Sequence, residues 1–68
     1  MKIDGEKLNY YRERKLLSVR EMCEACSIST GTWWRASNDY PLNLSTVRRL
    51  CEVLDVSLED LEKKEGGE

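Results

Sequence analysis

Apolar residues recur every three or four positions along this chain, in short runs that are separated by polar breaks. That spacing predicts helices, and no segment shows the strict alternation of a half-buried strand. We expect an all-α fold with five helices, at about 5–15, 19–26, 30–37, 44–54 and 58–61. The breaks between them predict short turns, so the helices must pack against one another in a single small core.

Residues that cap helices precede each predicted segment: Asp4, Ser18, Ser29, Asn43 and Ser57. Ser18 with Glu21 has the spacing of a capping box, and Ser57 is followed by an acid at the third helical position. Pro41 forbids a continuous helix between the third and fourth segments. These signals fix where the helices begin better than the apolar spacing does.

The predicted core follows from the same spacing. Met22, Cys23 and Cys26 share one face of the second helix, and Leu16 and Leu17 should enter the core where the first helix ends. In the third helix, Trp33 and Ala36 should point inward with Ile28, which precedes the helix. Trp34 and Arg35 then fall on the outer face, with Thr30 and Gly31. A shift of one residue would instead bury Trp34 and expose Trp33.

The chain has 68 residues and a net charge of −2. We expect one domain over residues 1–64 and a disordered acidic tail over residues 65–68. Residues 1–49 carry nine Lys or Arg against six Asp or Glu, whereas residues 50–68 carry two against seven. A mildly basic body is compatible with nucleic-acid binding of modest non-specific affinity and strong salt dependence.

The sequence argues against several classes of function. It has no apolar run long enough to span a membrane and no secretory signal, so we expect a cytoplasmic protein. Without histidine or a nucleophile–base pair it is not expected to be an enzyme, and a small-molecule substrate has no cleft to enter. We expect no membrane partner and no cofactor.

The three cysteines raise the question of a metal or redox site. Cys23 and Cys26 form a C-x-x-C pair, but three thiols without histidine cannot supply four zinc ligands, so no metal is expected. Burial in the core is the favoured interpretation, and an odd thiol count favours a reducing compartment. A thiol sensor that uses Cys23, Cys26 or Cys51 remains an alternative.

An ordered set of short motifs then gives the chain a family resemblance. The set comprises Leu17-Ser18, Ile28-Ser29, Thr32, the Pro41 loop and the run from Leu50 to Leu61. Over about residues 6–61 the chain resembles the lambda-repressor-like (Cro/cI-type) DNA-binding domains. The resemblance implies a compact five-helix domain with a helix-turn-helix at helices two and three.

That resemblance implies a sequence-specific transcription regulator, most simply a repressor, that binds double-stranded DNA as a homodimer. The third helix would enter the major groove. The residues expected to contact bases are Thr30, Gly31, Trp34 and Arg35. Those expected to contact phosphates are Arg20, Thr32, Asn38, Tyr40 and Asn43. Leu42, Leu44, Leu58 and Leu61 are expected to form an apolar dimer patch.

The chain also departs from the family pattern. Val19 replaces a frequent glutamine, Ser27 stands where glycine often takes a left-handed conformation, and Ser37 replaces an acid that pairs with an arginine at Arg12. Arg12 must therefore find another partner or face the DNA backbone. An alternative function is a protein-interaction module of the same fold, such as an antitoxin or antirepressor.

Overall fold

The computed structural model describes residues 2–63 and confirms the five helices. They are α1 (Gly5–Arg14), α2 (Val19–Cys26), α3 (Thr30–Ser37), α4 (Leu44–Leu54) and α5 (Leu58–Leu61). The first ends one residue earlier than predicted, because Lys15 serves as its C-cap. Within the described residues the fold is all-α. The predicted tail at residues 65–68 lies outside them, and none of the five helices is long and apolar enough to cross a bilayer.

Side-chain caps begin α1, α2 and α3 as the sequence predicts. Ser18 and Glu21 form a complete capping box: Glu21 N donates to Ser18 Oγ at 3.1 Å, and Ser18 N donates to Glu21 Oε1 at 2.9 Å. Asp4 accepts from the first turn of α1, and Ser29 Oγ accepts from Thr32 N at 3.1 Å. Asn43 is the N-cap residue of α4 by position, but its side chain makes no capping hydrogen bond.

All five helices contribute to one core. α3 packs on α1 and α2, α4 packs on α2 and α5, and α5 returns to α1. The buried apolar side chains are Ile3, Leu8, Met22, Cys23, Cys26, Trp33, Ala36, Val47, Leu50, Leu54 and Leu61. The predicted inward faces of α2 and α3 are therefore confirmed, and α3 is held from two sides.

Two leucines, Leu16 and Leu61, differ from their predicted environments. Leu16 is 90% exposed, because its left-handed backbone (φ 57°) turns the side chain outward while Leu17 packs against the core. Leu61 is fully buried in its own chain, so it cannot belong to the predicted dimer patch. Leu44 opens α4 and is 62% exposed, while Leu42 and Leu58 are partly buried.

The two ends of the domain pair with each other, a contact that the local sequence patterns do not predict. Ile3 bridges to Glu62 in antiparallel fashion, and Asp4 N donates to Leu61 O at 2.7 Å. Ile3 is fully buried as a result. This pairing closes the core beneath α1 and α5 and brings Lys63 close to the loop that follows α3.

Candidate nucleic-acid interface

The turn between α2 and α3 sets the angle between the two helices. Ser27 adopts the left-handed conformation (φ 58°, ψ 44°) that the sequence analysis expected at this position. Ile28 N donates to Cys23 O at 3.0 Å and thereby satisfies a carbonyl at the end of α2, and the Ile28 side chain packs against the core. Serine takes this conformation at a cost of roughly 1 kcal/mol that glycine would avoid.

The two faces of α3 have opposite environments. Trp33 is only 5% exposed and Ala36 is fully buried, so this face belongs to the core. We call Thr30, Gly31, Trp34 and Arg35 the outer face of α3, and all four are exposed. The alternative register, with Trp33 outside and Trp34 inside, is therefore wrong.

An aromatic pair lies where α3 meets the following loop. The rings of Trp34 and Tyr40 stack with centroids 5.4 Å apart and an interplanar angle of 30°. Both remain accessible, since Trp34 is 55% exposed and Tyr40 is 48% exposed. Tyr40 N also donates to Arg35 O at 2.9 Å, which ties the loop to the end of α3. The pair is thus fixed in place without being buried.

Gly31 lies one turn before this pair, on the same side of α3. A Cβ at Gly31 would meet only Ser29 Oγ, at 3.7 Å, which is an ordinary contact. Gly5 differs, because a Cβ there would clash with the backbone oxygen of Ser37. Packing within the domain therefore requires glycine at position 5 but not at position 31.

The predicted phosphate contacts lie around the ends of three helices. Arg20 is near the start of α2, where it is 88% exposed and pairs with Glu24 at 3.5 Å. Asn38 follows α3, and its Nδ2 donates to Trp34 O at 2.8 Å. Asn43 precedes α4 with its amide unused by the helix. An exposed ion pair such as that of Arg20 contributes little to stability, so the guanidinium can exchange partners at low cost.

Thr32 is the least accessible of the predicted contacts. Its hydroxyl lies 3.1 Å from Ser29 Oγ, and its backbone N–H donates to the same oxygen. The Thr32 hydroxyl can still donate or accept one further hydrogen bond. Thr32 therefore takes part in the cap of α3, and a contact with phosphate would add to that role.

Arg12 has found a partner within the domain. Its Nη1 donates to Leu17 O at 2.6 Å and its Nε donates to Asn9 Oδ1 at 3.3 Å, with the side chain 16% exposed. Ser37, where the family often has an acid, has a buried hydroxyl oxygen without a hydrogen-bond partner among the described residues. The carbonyl oxygen of Leu17 is thus the partner of Arg12 in place of an acid, and Arg12 does not need the DNA backbone as a hydrogen-bond partner.

The thiols have the character of core residues. All three cysteines are free, and Cys23 and Cys26 are buried. Burial raises the pKa of Cys26 to about 11 and raises the pKa of Cys23 and of Cys51 as well. Thiols with raised pKa values are poor nucleophiles near neutral pH, which does not favour the thiol-sensor alternative. Within residues 2–63 no group of three metal-ligating side chains comes together.

Asp39 anchors the loop after α3, although it was not among the residues predicted for the site. Asp39 has a left-handed backbone (φ 64°), accepts from Gly5 N at 3.1 Å and pairs with Lys63 Nζ at 2.6 Å. The Lys63 hydrogen bond and then the Gly5 hydrogen bond lower the pKa of Asp39. The Asn-Asp dipeptide before Tyr40-Pro41 was the available signal, because Asn and Asp tolerate left-handed turns.

A capped helix pair joined by a tight turn, with the second helix exposing a face that the core does not use, defines a helix-turn-helix domain. The Cro/C1-type HTH DNA-binding domain family matches residues 7–65, and the chain belongs to this family. No curated protein matches the chain. The family typically binds DNA and is typically non-enzymatic.

Proposed function

We propose that this protein is a sequence-specific regulator of transcription that places α3 in the major groove. The observation that carries the proposal is the outer face of α3. Its four residues lie on successive turns of the helix and are exposed, and none of them is required by the core. The second helix of a helix-turn-helix lies in the major groove, where its exposed side chains contact base edges. The base contacts would then come from Thr30, Gly31, Trp34 and Arg35.

Arg35 is the principal base-reading residue in this proposal. Its guanidinium is exposed, and its planar fork can donate two hydrogen bonds to O6 and N7 of guanine. Such a bidentate contact contributes roughly 1–3 kcal/mol of discrimination against other bases. Thr30, at the start of the same face, adds a hydroxyl that can reach a base edge.

Phosphate contacts would fix the position of α3 without reading sequence. The residues proposed for this role are Arg20, Thr32, Asn38, Tyr40 and Asn43. Asn43 is well suited, because its amide makes no capping hydrogen bond and the first N–H groups of α4 are beside it. These contacts on both sides of α3 would resist rotation of the helix in the groove.

We further propose that the protein acts as a homodimer on a two-fold symmetric site and represses transcription there. One short helix reads few base pairs, and a second copy about one helical turn away doubles the sequence read. Leu44, 62% exposed beside the partly buried Leu42, leaves apolar surface that a second copy would cover. Repression requires only that the bound dimer occupy the promoter.

Enrichment of random duplex DNA on the purified protein tests this function, in parallel with Arg35→Ala and with Arg48→Ala as a matched control. Arg48 is also exposed, but it lies on α4. We expect the wild-type protein to enrich a two-fold symmetric motif. Arg48→Ala should enrich the same motif, whereas Arg35→Ala should lose the base preference at one position in each half-site. A motif without symmetry would contradict the dimer, and the same motif with Arg35→Ala would contradict its role.

Absence of enrichment at low salt would overturn DNA binding itself. The same fold would then serve as a protein-interaction module, with the exposed Trp34 at its centre. Salt separates the two functions, because DNA affinity falls steeply as salt rises whereas an aromatic protein interface changes little.

A further inference from the structure

The aromatic pair of Trp34 and Tyr40 has a geometry that suggests a more specific role than contact with DNA in general. Its rings are stacked, and each is about half exposed. An exposed indole loses side-chain freedom when a neighbouring ring holds it, and this ordering reduces the entropy lost on binding. The pair therefore presents a rigid apolar surface on the outer face of α3.

The major groove offers one apolar group to such a surface. Hydrogen-bond donors and acceptors line the base edges, and the exception is the 5-methyl group of thymine. An aromatic ring gains contact with this methyl group that it does not gain with cytosine or with a purine edge. The chemistry of the aromatic pair therefore points to thymine.

Gly31 supplies the second, independent observation. Trp34 and Arg35 follow it by three and four residues, so both side chains lie beside it on the helix surface. The space where a Cβ of Gly31 would stand is open apart from Ser29 Oγ at 3.7 Å. A base edge can thus come close to the helix backbone there, between the indole and the guanidinium.

We propose that Trp34, positioned by Tyr40, reads the 5-methyl group of a thymine adjacent to the guanine read by Arg35. This inference rests on the proposed function, since it requires α3 in the major groove. Tyr40 acts here as a positioning residue through its ring, whereas the phosphate contact proposed above uses its hydroxyl. The two roles can therefore be separated by removing the ring or the hydroxyl alone.

The experiment first selects a site from random duplexes and then replaces each thymine in turn by deoxyuridine, which lacks only the methyl group. We expect one thymine per half-site at which the replacement weakens binding by about fourfold, the effect of one buried methyl group. Sugar and phosphate contacts are unchanged by this replacement. Affinities are measured by titration for wild type, Trp34→Ala, Tyr40→Phe and Tyr40→Ala.

The ratio of affinities for thymine and uracil sites is the readout. We expect Trp34→Ala to bring the ratio to about one and Tyr40→Phe to retain it, since the phenyl ring still stacks. Tyr40→Ala should lower the ratio. Tyr10→Ala serves as the matched control, because Tyr10 is similarly exposed, at 53%, but lies on α1.

A selected site that binds equally well with uracil at every thymine would overturn the inference and leave the proposed function standing. If Trp34→Ala kept the wild-type ratio of affinities for thymine and uracil sites, Trp34 would not be the residue that reads the methyl group. If Tyr40→Ala kept that ratio, Tyr40 would not position Trp34. Failure to select any site would instead overturn the proposed function, and this inference with it.

Discussion

Trp33 and Trp34 are neighbours in the chain, yet their environments in the fold are opposite. Trp33 is 5% exposed and packs among the buried side chains of the core, whereas Trp34 is 55% exposed and contacts Tyr40 alone among the aromatic rings of the described residues. The residues that share a face with Trp33 are explained by packing. Those that share a face with Trp34 are exposed and lie outside the core, and the proposed contact with DNA would use them.

Gly5 and Gly31, the two glycines among residues 2–63, repeat this contrast. Gly5 has no room for a side chain because the backbone of Ser37 occupies the space, while Gly31 has room for one. A glycine inside a helix costs up to about 1 kcal/mol relative to alanine. The domain accepts that cost at Gly31 without any gain in packing, which is what a close approach to DNA would explain.

The largest expected effect is the difference in stability between the alanine variants of the two tryptophans. Trp33→Ala should lower the free energy of unfolding by about 3–5 kcal/mol, since it leaves a large cavity in the core. Trp34→Ala should lower it by about 1 kcal/mol, the contribution of one aromatic pair. Urea denaturation of both variants measures the difference. Equal losses would contradict the assignment of the two faces of α3.

Gly5→Ala should have the next largest effect. The added Cβ would meet the backbone oxygen of Ser37, which cannot move without displacing the end of α3. We expect a loss of about 1–3 kcal/mol, typical of overpacking, in a thermal or urea unfolding experiment. Gly31→Ala is the control and should not lose stability. A stable Gly5→Ala variant would show that α1 and α3 can separate without cost.

Arg20→Ala tests whether the phosphate contacts differ in kind from the base contacts. It should weaken binding to all duplexes alike and reduce the slope of log affinity against log salt by about one. Arg48→Ala should leave the slope unchanged. Titrations at several salt concentrations measure both. An unchanged slope for Arg20→Ala would place this arginine outside the DNA interface.

The smallest effect concerns the loop that anchors the end of α3. Asp39 has a lowered pKa in the folded state because it accepts from Lys63 and from Gly5 N, so it stabilises the fold above its ordinary pKa of 3.8. That stabilisation is lost as the pH falls through the lower, folded-state value. Asp39→Asn should therefore lose less stability than wild type on acidification. Parallel acid-unfolding curves for the two proteins would contradict this linkage.

Much of the fold could be predicted because its signals are local. The capping residues placed the starts of α2 and α3, and the shared face of Trp33 and Ala36 favoured the burial of Trp33, which the structure confirms. Leu16 was predicted wrongly because a left-handed turn, which the apolar spacing does not reveal, directs its side chain into solvent. The pairing of Ile3 with Glu62 was missed because it joins distant parts of the chain.

The candidate site could be predicted only in outline. Helical spacing identified the exposed residues of α3, but the stacking of Trp34 on Tyr40 depends on how the loop around Asp39 folds back. Which of these side chains contact bases depends on the DNA as well as on the domain. The base and phosphate contacts therefore stay predictions, whereas the surface that carries them is defined.

Gly31→Ala tests most directly the claim that the outer face of α3 is shaped for the close approach of DNA. The substitution should change the stability of the fold and the affinity for DNA in opposite directions. Unfolding free energy and affinity for a selected duplex are measured on the same protein. We predict that stability rises by up to about 1 kcal/mol, as helix propensity requires, while affinity for DNA falls. Higher stability with unchanged affinity would contradict the claim that this face of α3 is shaped for the close approach of DNA.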